Sequence, residues 1–337
     1  MYILIAIIFF GLLIFVHELG HFAAAKLNGI GVYEFNMGMG PKLFSFKRKE
    51  TAYNLRLLPI GGSIQMVGED DENYSPNSFT QKSIWRRVTV LFCGPAMNFV
   101  LAIIAFIVLY MMVGVATGAN VVGSPVEDTP AIYAGLQGGD VIKAVNEIET
   151  ADWSAVVDAI KIQPQGKEMQ LTVVRGEQEL KIFVAPYIDE ASQESKIGIL
   201  PQTKHYSVFS AIGLGFRQAY EFTRLLLVSL FQMITGKLEA ELAGPVGIVN
   251  IVGQAAQFGF PNLLMLLGVL SINLGVVNLL PVPALDGSRI VFLGIEKLRG
   301  KPMNPNREGF IHFVGLMALF GLMIFITYQD IARLING

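Results

Sequence analysis

Four long apolar segments constrain this chain more strongly than any other feature of its sequence. An α-helix needs about 20 mostly apolar residues to cross the hydrocarbon core of a bilayer. Segments that meet this requirement run from about Tyr2 to Ala25, Val88 to Val115, Leu263 to Leu285 and Ile311 to Tyr328. In lipid the backbone must satisfy its own hydrogen bonds, which leaves helices as the structure for such segments. The sequence therefore predicts an α-helical polytopic membrane protein with about four transmembrane helices.

The composition supports a membrane protein that also carries a more polar region. Hydrophobic residues make up 53% of the 337 residues and charged residues 15%, and the mean hydropathy is +0.52. Soluble domains have about 25% charged residues, and the stretch between about 117 and 205 is the part that approaches this character. With a net charge of −2 we expect no nucleic-acid partner, and the single Cys93 excludes an internal disulfide or a multi-cysteine metal cage.

Two apolar stretches need separate interpretation. Residues Met1 to Val16 have no basic region and no small-residue cleavage site, so we expect a retained helix rather than a signal peptide. The stretch from Tyr206 to Ile234 carries Arg217, Glu221 and Arg224 at near-helical spacing. Because charges are costly in lipid, we expect an amphipathic helix that lies in the interface or packs on the soluble domain.

Basic residues in the first and last loops predict the orientation. Short cytoplasmic loops of membrane proteins carry an excess of lysine and arginine. We therefore place these two loops in the cytoplasm, and both termini and the 116–262 insert outside. The residues are Lys26, Lys42, Lys47, Arg48, Lys49, Arg56, Lys82, Arg86 and Arg87 in the first loop, and Lys297, Arg299, Lys301 and Arg307 in the last.

The first loop is predicted to form strands. Three segments, 31–36, 42–47 and 51–58, alternate apolar and polar residues as half-buried strands do, with glycine and proline between them. Gly61 and Gly62 end the region, so we expect a membrane-associated β-hairpin loop on the cytoplasmic side. The acidic run at 69–72 that follows favours a solvated loop.

The outer insert has the pattern of one small α/β domain. Residues 131–146 predict a short helix, a glycine turn and a strand, and 155–162 predict a second helix. Strands at 169–175 and 179–185 follow, joined at Arg175-Gly176. The A-G-L-x-x-G-D-x-I-x-x-V-N run resembles a bacterial, circularly permuted PDZ domain, a class that binds extended chains by strand addition.

These interpretations divide the chain into eight parts. They are a first transmembrane helix (1–25), a β-rich loop (26–87), a second transmembrane helix (88–115), a PDZ-like domain (116–203), an amphipathic helix with a G-P-V-G-I segment (204–262), a third transmembrane segment (263–290), a cytoplasmic loop (291–310) and a fourth transmembrane helix (311–330).

The first apolar segment contains a metal-binding pattern. His17-Glu18-Leu19-Gly20-His21 reads H-E-x-x-H, and on a helix both histidines lie on one face and can reach one Zn²⁺. Glu18 is placed to take the proton of an attacking water. Three ionisable residues inside an apolar span are costly unless they pair or bind a metal. The sequence therefore predicts a zinc site in the membrane.

A third protein ligand is expected because catalytic zinc has three protein ligands and one open position. Asp286 is the best candidate, since it follows an apolar helix that Pro281 and Pro283 must break. In the predicted topology Asp286 lies at a depth similar to that of the two histidines of the motif, near the cytoplasmic face. His205 falls outside the membrane, and His312 stands alone in the fourth span, where a packed or hydrogen-bonded histidine is the simpler interpretation.

Five features occur together and in order, and in this combination the chain resembles the site-2 proteases over essentially its whole length. The similarity is greatest to the bacterial branch that performs regulated intramembrane proteolysis. The features are the H-E-L-G-H span at 17–21, the segment Phe92-Cys-Gly-Pro-Ala-Met-Asn98, the PDZ-like insert, Gly244-Pro-Val-Gly-Ile and the stretch from Asn273 to Asp286.

The resemblance implies a catalytic site. His17, His21 and Asp286 match the residues that bind zinc in that family, which gives one Zn²⁺ per chain, and Glu18 matches the general base. The implied activity is cleavage of transmembrane segments of membrane proteins, such as anti-sigma factors and remnant signal peptides, often after another protease has trimmed them. The implied location is the cytoplasmic membrane of a bacterium, with the active site near the cytoplasmic face.

The resemblance also indicates residues that contact substrate. Asn278 matches an asparagine implicated at the active site, and we expect substrate contacts at Asn273, Gly61 and Gly62 as well. The strands of the 30–66 loop can take an unwound substrate as an added strand. The chain departs from the common L-D-G-G pattern at Ser288, a small residue for a small one, and its insert has room for one PDZ domain where many relatives have two.

Two other functions compete with a protease. A catalytically inactive PDZ scaffold has no use for the intact Glu18 beside two histidines. A proton-coupled transporter with Glu18 and Asp286 as a relay would show internal repeats of spans, and the sequence has none. Both alternatives predict a protein that purifies without metal.

Overall fold

The computed structural model describes residues 2–69, 75–164, 166–189, 194–238 and 244–336. The chain divides into two compact units. We call Met1–Leu109 with Phe209–Gly337 the membrane unit, and Tyr110–Val208 the insert unit. The helices of the described residues are α1 (Tyr2–Leu27), α2 (Ile84–Met112), α3 (Pro130–Tyr133), α4 (Trp153–Lys161), α5 (Val208–Ile234), α6 (Pro245–Gln257), α7 (Phe260–Leu279), α8 (Asp286–Arg299) and α9 (Pro305–Asn336).

Four of the described helices are long and apolar enough to cross a membrane. The candidate spans are Ile3–Leu27, Ile84–Met112, Phe260–Leu279 and Asn306–Arg333. They overlap the four segments expected from the sequence, although the second begins four residues earlier than Val88 and the third ends before the prolines. The prediction of a polytopic membrane protein is confirmed.

Helix α5 is 27 residues long and is not among the four candidate spans. Arg224 Nη1 lies 3.5 Å from Glu221 Oε2 on its exposed side. The opposite side packs against α2, where the rings of Phe222 and Phe106 stack with centroids 5.7 Å apart. The charged side is the reason that the sequence predicts an amphipathic helix here rather than a span.

Residues 291–310 were expected to form a loop, and the structure corrects this: α8 continues to Arg299 and α9 begins at Pro305, so the connection between them is 300–304. Helix α8 runs from Asp286 through Arg299 and ends at Gly300, whose φ of 68° lies in the left-handed region. Leu293 is buried in the core that α1, α2 and the hairpin share. Glu296 accepts a hydrogen bond from Arg87 of α2 at 3.1 Å. The helix forms because its apolar residues pack on the core shared by α1, α2 and the hairpin. The charge pattern of residues 291–310 gives no sign of this distant partner.

The predicted strands of the first loop form one bent hairpin, β1 (Val32–Arg48) and β2 (Thr51–Met66). Residues 34–37 have partners on both sides, at 62–65 and at 52–55, and residues 42–48 pair with 51–56. Within this sheet the segments 62–66 and 42–48 therefore pair on one side only. We call 62–66 the inner edge, because its Ser63, Ile64 and Met66 line the cavity described below.

The G-P-V-G-I segment is the start of α6. Asp330 of α9 is buried, and its carboxylate accepts the backbone N–H of Gly244 at 3.3 Å and of Gly247 at 2.7 Å. A Cβ on Gly244 would lie 2.7 Å from Asp330 Oδ2. A carboxylate at a helix N-terminus accepts hydrogen bonds from the free N–H groups there and interacts favourably with the helix dipole. Because Gly244 and Gly247 have no side chain, Asp330 of the distant helix α9 can cap α6 in this way.

The insert unit contains a four-stranded antiparallel sheet in the order β6 (Ile148–Glu149), β5 (Val141–Val145), β7 (Met169–Arg175) and β8 (Gln178–Val184). Helices α3 and α4 contribute to its core with Ala131, Val156 and Ile160. The helices and strands expected at 131–146, 155–162, 169–175 and 179–185 are present within a few residues. The strands are β3 (Val115–Ala116), β4 (Val122–Pro125), β5 (Val141–Val145), β6 (Ile148–Glu149), β7 (Met169–Arg175), β8 (Gln178–Val184), β9 (Tyr187–Ile188), β10 (Ser195–Lys196), β11 (Ile199–Pro201) and β12 (Thr203–Lys204).

Candidate metal centre

Helix α1 presents the H-E-x-x-H motif to the interior of the membrane unit. His21 and Glu18 are 8% and 9% exposed, and His17 is partly buried beside them. The two imidazoles lie on one face of the helix, with ring centroids 4.8 Å apart. This follows from the i, i+4 spacing of an α-helix.

Asp286 completes a group of three converging donor atoms. Its Oδ2 lies 3.3 Å from His17 Nε2 and 3.3 Å from His21 Nε2, and the two nitrogens lie 3.2 Å apart. Donor atoms 2.0–2.1 Å from a tetrahedral zinc are about 3.3–3.4 Å from one another. The spacing of the three atoms therefore fits one zinc ion, and within the described chain no other group of this kind is found.

The hydrogen bonds of the second ring nitrogens leave lone pairs at the centre. His21 Nδ1 lies 2.8 Å from the carbonyl oxygen of Val90 and donates to it, so its Nε2 carries a lone pair. Asp286 Oδ2 is buried and accepts no hydrogen bond from the described residues. Three acceptors that converge without a proton between them repel one another unless a cation binds, which is the chemistry of a metal site.

Asn98 is a site residue that the sequence reasoning missed. It is fully buried on α2, its side-chain nitrogen lies 3.1 Å from His17 Nδ1, and its Oδ1 is buried without a partner among the described residues. Exchanging the amide oxygen and nitrogen lets Oδ1 accept from Nδ1–H, which orients His17 as Val90 orients His21. The Ser271 hydroxyl of α7 donates to the backbone carbonyl oxygen of Asn98 at 2.8 Å. The available signal was an asparagine inside the apolar segment 92–98.

Two glycines let α1 and α2 cross closely at the site. A Cβ on Gly20 would lie 2.2 Å from the carbonyl oxygen of Cys93, and a Cβ on Gly94 would lie 2.1 Å from His21 Nε2. Either side chain would displace a ligand or separate the helices. The glycine within H-E-L-G-H and that of the Phe92–Asn98 segment therefore serve the same contact.

Asp286 reaches the histidines because it is the first residue of α8. Helix α7 ends at Leu279, and the segment Leu280–Leu285, with its two prolines, connects it to α8 so that the start of α8 lies against the end of α7. A Cβ on Gly287 would lie 2.3 Å from the carbonyl oxygen of Leu279, so the return is tight. Ser288, in place of a second glycine, is buried, and its Oγ donates to Leu285 O at 2.7 Å.

A cavity of about 340 Å³ opens onto the three donor atoms. Asn278 lines it, and Asn273 is not among the described residues that do. Gly62 lies against Glu18, since a Cβ there would be 2.6 Å from Glu18 Cγ, and a Cβ on Gly61 would meet Met39 Cε at 2.7 Å. The lining residues are His17, Glu18, His21, Ser63, Ile64, Met66, Glu69, Leu91, Asn278, Ala284, Asp286 and Arg289.

The acidic run at 69–72 was expected to be a solvated loop, but its first residue, Glu69, is shielded from solvent. Glu69 is 10% exposed, lines the cavity and forms an ion pair with Arg289 of α8. Residues 70–72 lie outside the described residues. The partner of Glu69 is 220 residues away in the chain, which explains why a local charge pattern did not identify the pair.

Comparison with known proteins identifies the family. The model of peptidase family M50 matches residues 5–322. The chain belongs to this family, the site-2 proteases. The regulator of sigma-W protease RasP from Bacillus subtilis is 34% identical over 97% of this chain and 97% of its own length. A putative zinc metalloprotease from Clostridium perfringens is 39% identical over 98% of each chain.

This member of family M50 is a zinc metalloprotease, and Zn²⁺ is its metal. Its relatives and its apolar helices indicate a multi-pass protein of the bacterial inner membrane. The PDZ domain of the SdrC-like protein from Listeria monocytogenes also matches, with 22% identity, 26% of this chain and 93% of that chain covered, and a TM-score of 0.23. Neither the scaffold nor the transporter alternative is favoured.

Proposed function

We propose that this protein is an intramembrane endopeptidase that cleaves transmembrane segments of membrane proteins, with His17, His21 and Asp286 as zinc ligands and Glu18 as general base. The observation that carries the proposal is the convergence of three donor atoms at zinc spacing, two of them on a helix that is long and apolar enough to span a membrane. Glu18 directly follows His17 on α1, and it lines the same cavity as Asp286.

The residues of the site supply positions and a proton acceptor. When bound, zinc polarises a carbonyl and makes a water molecule more acidic. Glu18 lies beside the ligands and takes the proton of the attacking water, which it can pass to the leaving amine. Asn278 faces the same cavity, where its amide can donate to the oxygen of the scissile peptide. Asn98 and the carbonyl of Val90 keep the two imidazoles in the tautomer that binds metal.

We propose that the substrate enters as an extended segment. The peptide bonds of a helix are shielded by their own hydrogen bonds, so a transmembrane substrate must unwind before it is cut. The inner edge, 62–66, pairs on one side and borders the cavity, which suits the addition of a substrate strand. Anti-sigma factors and remnant signal peptides, trimmed beforehand by another protease, are the substrate classes that the family resemblance supports.

We further propose that the site lies near the cytoplasmic face and the insert unit outside. The basic residues flanking α1, α2 and α9 support this orientation. It also gives the PDZ-like insert unit access to the part of a substrate that remains outside. Cysteine labelling of intact cells should then reach positions in 120–200 and not those in 42–56 or 297–307.

The ligands and the base can be separated by two substitutions. Glu18→Gln keeps the size of the side chain and all three ligands, so the purified protein should retain about one zinc per chain and lose cleavage of a transmembrane substrate. His17→Ala should lose both. Zinc is measured by mass spectrometry and cleavage by gel. Full turnover by Glu18→Gln would exclude Glu18 as the base.

Strand addition has its own test. Successive N–H groups of a strand point in opposite directions, so proline at Ser63 or at Ile64 removes the donor that faces the open side of the inner edge. One of the two variants should keep its zinc and cleave a stably helical substrate several-fold more slowly, and glycine in the substrate span should restore the rate. Proline at Phe44, on the other outer segment, is the matched control. Equal cleavage by all three variants would contradict the proposal.

A further inference from the structure

The segment before Asp286 contains a turn in an unfavourable conformation. Leu285 N–H donates to Val282 O at 3.1 Å, Pro283 is the second residue of the turn, and Ala284 is the third, with a φ of 79°. These are the features of a type II turn, which needs a φ near +80° at its third position and has glycine there by preference. Ala284 lacks that freedom, and Pro-Ala fits the alternative type I turn without strain.

Type I and type II turns differ by a flip of their central peptide, here the one that joins Pro283 to Ala284. Helix α9 contacts both ends of this peptide. His312 Nδ1 accepts the Ala284 N–H at 3.0 Å. Gly315, one turn further along α9, leaves room for the other end, since a Cβ there would lie 2.6 Å from Pro283 O and 2.4 Å from Pro283 Cβ.

The surroundings of His312 fix its ring. Phe292 of α8 packs edge-on against it, with centroids 5.4 Å apart and an interplanar angle of 88°. Because Nδ1 accepts a hydrogen bond, the ring proton of the neutral imidazole is on Nε2. That nitrogen lies 4.0 Å from Glu308 Oε1, one turn earlier on α9. The edge-on contact with Phe292 and the hydrogen bond from Ala284 N–H therefore orient the ring with its acceptor toward the turn.

We propose that His312 is a positioning residue for the metal centre, which holds the Val282–Leu285 turn in the type II form from which Asp286 reaches the two histidines. The proposal rests on the ligand set proposed above. A flip of the central peptide changes ψ of Pro283 and φ of Ala284 in opposing senses that largely cancel, which leaves a net rotation of about 40°. This residual rotation moves the Asp286 carboxylate away from the position in which it meets both histidines. The expected consequence is a weaker site rather than a lost fold, since α8 and α9 keep their other contacts.

Substitutions at His312 separate its acceptor atom from its bulk. In His312→Asn the side-chain Oδ1 occupies the place of Nδ1, whereas Gln at this position carries its polar atoms one bond further out. We expect His312→Ala and His312→Gln to weaken zinc binding by about tenfold or more, the effect typical of lost partners of metal ligands. His312→Asn should bind zinc much as the native protein does. Affinity is measured in the full-length protein by competition with a chelator.

A second substitution tests the strained turn itself. Glycine adopts a φ of 79° without strain, so Ala284→Gly in the His312→Ala background should restore most of the lost zinc affinity. Phe313→Ala is the matched control, because Phe313 is the next residue of α9 and 58% exposed. It should leave zinc affinity unchanged.

The outcomes distinguish this inference from the ligand assignment. Native zinc affinity in His312→Ala and His312→Gln would overturn the positioning role. A loss in His312→Asn as large as in His312→Ala would overturn the acceptor role, and failure of Ala284→Gly to restore affinity would overturn the turn mechanism. Asp286→Ala is measured in parallel. If it kept full zinc affinity, the ligand set would be wrong, whatever the result at His312.

Discussion

Each of the two units contains an aspartate with a buried carboxylate oxygen, and the surroundings of the two carboxylates are opposite in kind. Asp140 in the insert unit is fully buried and accepts hydrogen bonds from Arg175 Nε at 2.7 Å, Arg175 Nη2 at 2.8 Å and the Gln137 N–H at 2.9 Å. Asp286 in the membrane unit holds a buried oxygen that accepts no hydrogen bond from the described residues. The first carboxylate is neutralised by its own chain and supports the fold. The second has the surroundings of a metal ligand, the role proposed for it above.

The same contrast extends to the neighbours of each carboxylate. Asp140 is bound by a side chain of β7 and by the backbone of the glycine turn before β5, so its partners are elements of one small sheet domain. Asp286 Oδ2 lies 3.3 Å from the Nε2 atom of each of two imidazoles of α1, and in the tautomers that Val90 and Asn98 favour these nitrogens carry lone pairs. Whether a carboxylate with a buried oxygen supports the fold or is suited to binding a metal therefore depends on whether its neighbours donate hydrogen bonds to it. Burial alone does not distinguish these two roles.

The largest effect should follow from removing the charge of Asp286. Asp286→Asn keeps the shape and takes away the anionic ligand, so zinc affinity should fall by at least about a hundredfold and cleavage should be lost. The metal-free protein should unfold no more easily than the native metal-free protein, because no hydrogen bond is lost. Chelator competition and thermal unfolding measure the two quantities. A large loss of metal-free stability would mean that Asp286 is structural, as Asp140 is.

A smaller effect, on stability alone, should follow at the other aspartate. Arg175→Ala leaves Asp140 charged, buried and without its guanidinium, which should destabilise the insert unit by about 3 kcal/mol. Trp153 of α4 reports its unfolding by fluorescence in a Trp85→Phe background, which leaves one of the two tryptophans. Zinc affinity should not change. Arg175→Lys keeps the positive charge but cannot form the two parallel hydrogen bonds, so the stability of its insert unit should lie between that of the native protein and that of Arg175→Ala.

The smallest effect is a pH dependence of the same unit. Burial alone would raise the pKa of Asp140, but the hydrogen bonds from Arg175 and from the Gln137 N–H outweigh it and hold the pKa below the ordinary 3.8. The unfolded chain therefore binds the proton more readily, and stability rises with pH between the folded pKa and 3.8.

The stability contributed by Asp140 should accordingly be complete above about pH 5 and decline as the pH falls toward the folded pKa. Denaturant unfolding followed by Trp153 at several pH values measures the slope. Arg175→Ala removes the main cause of the lowered pKa, so its curve should be flatter over this range. An equal slope in both proteins would show that other carboxyl groups carry the acid sensitivity.

Much of this protein followed from its sequence, because lipid penalises polar groups so strongly. A helix that crosses a bilayer must be apolar, so the four spans were visible as composition, and the charged residues of 17–21 were conspicuous within one of them. The same penalty, with two prolines that break the third segment, directed attention to Asp286. The strands of the hairpin and the insert unit followed from alternation and glycine, which are local properties.

What the sequence left undetermined depends on partners that are distant in the chain. Asn98 lies 81 residues from His17, Asp330 lies 86 from Gly244, and His312 lies 28 from Ala284. Each is an ordinary polar residue until another helix brings its partner within 3.5 Å. Helix α8 likewise forms where Leu293 finds a core to enter. Pattern and composition determined most of the elements and indicated the residues proposed to bear the chemistry, whereas helix packing decided that α8 forms and which side chains surround the proposed site.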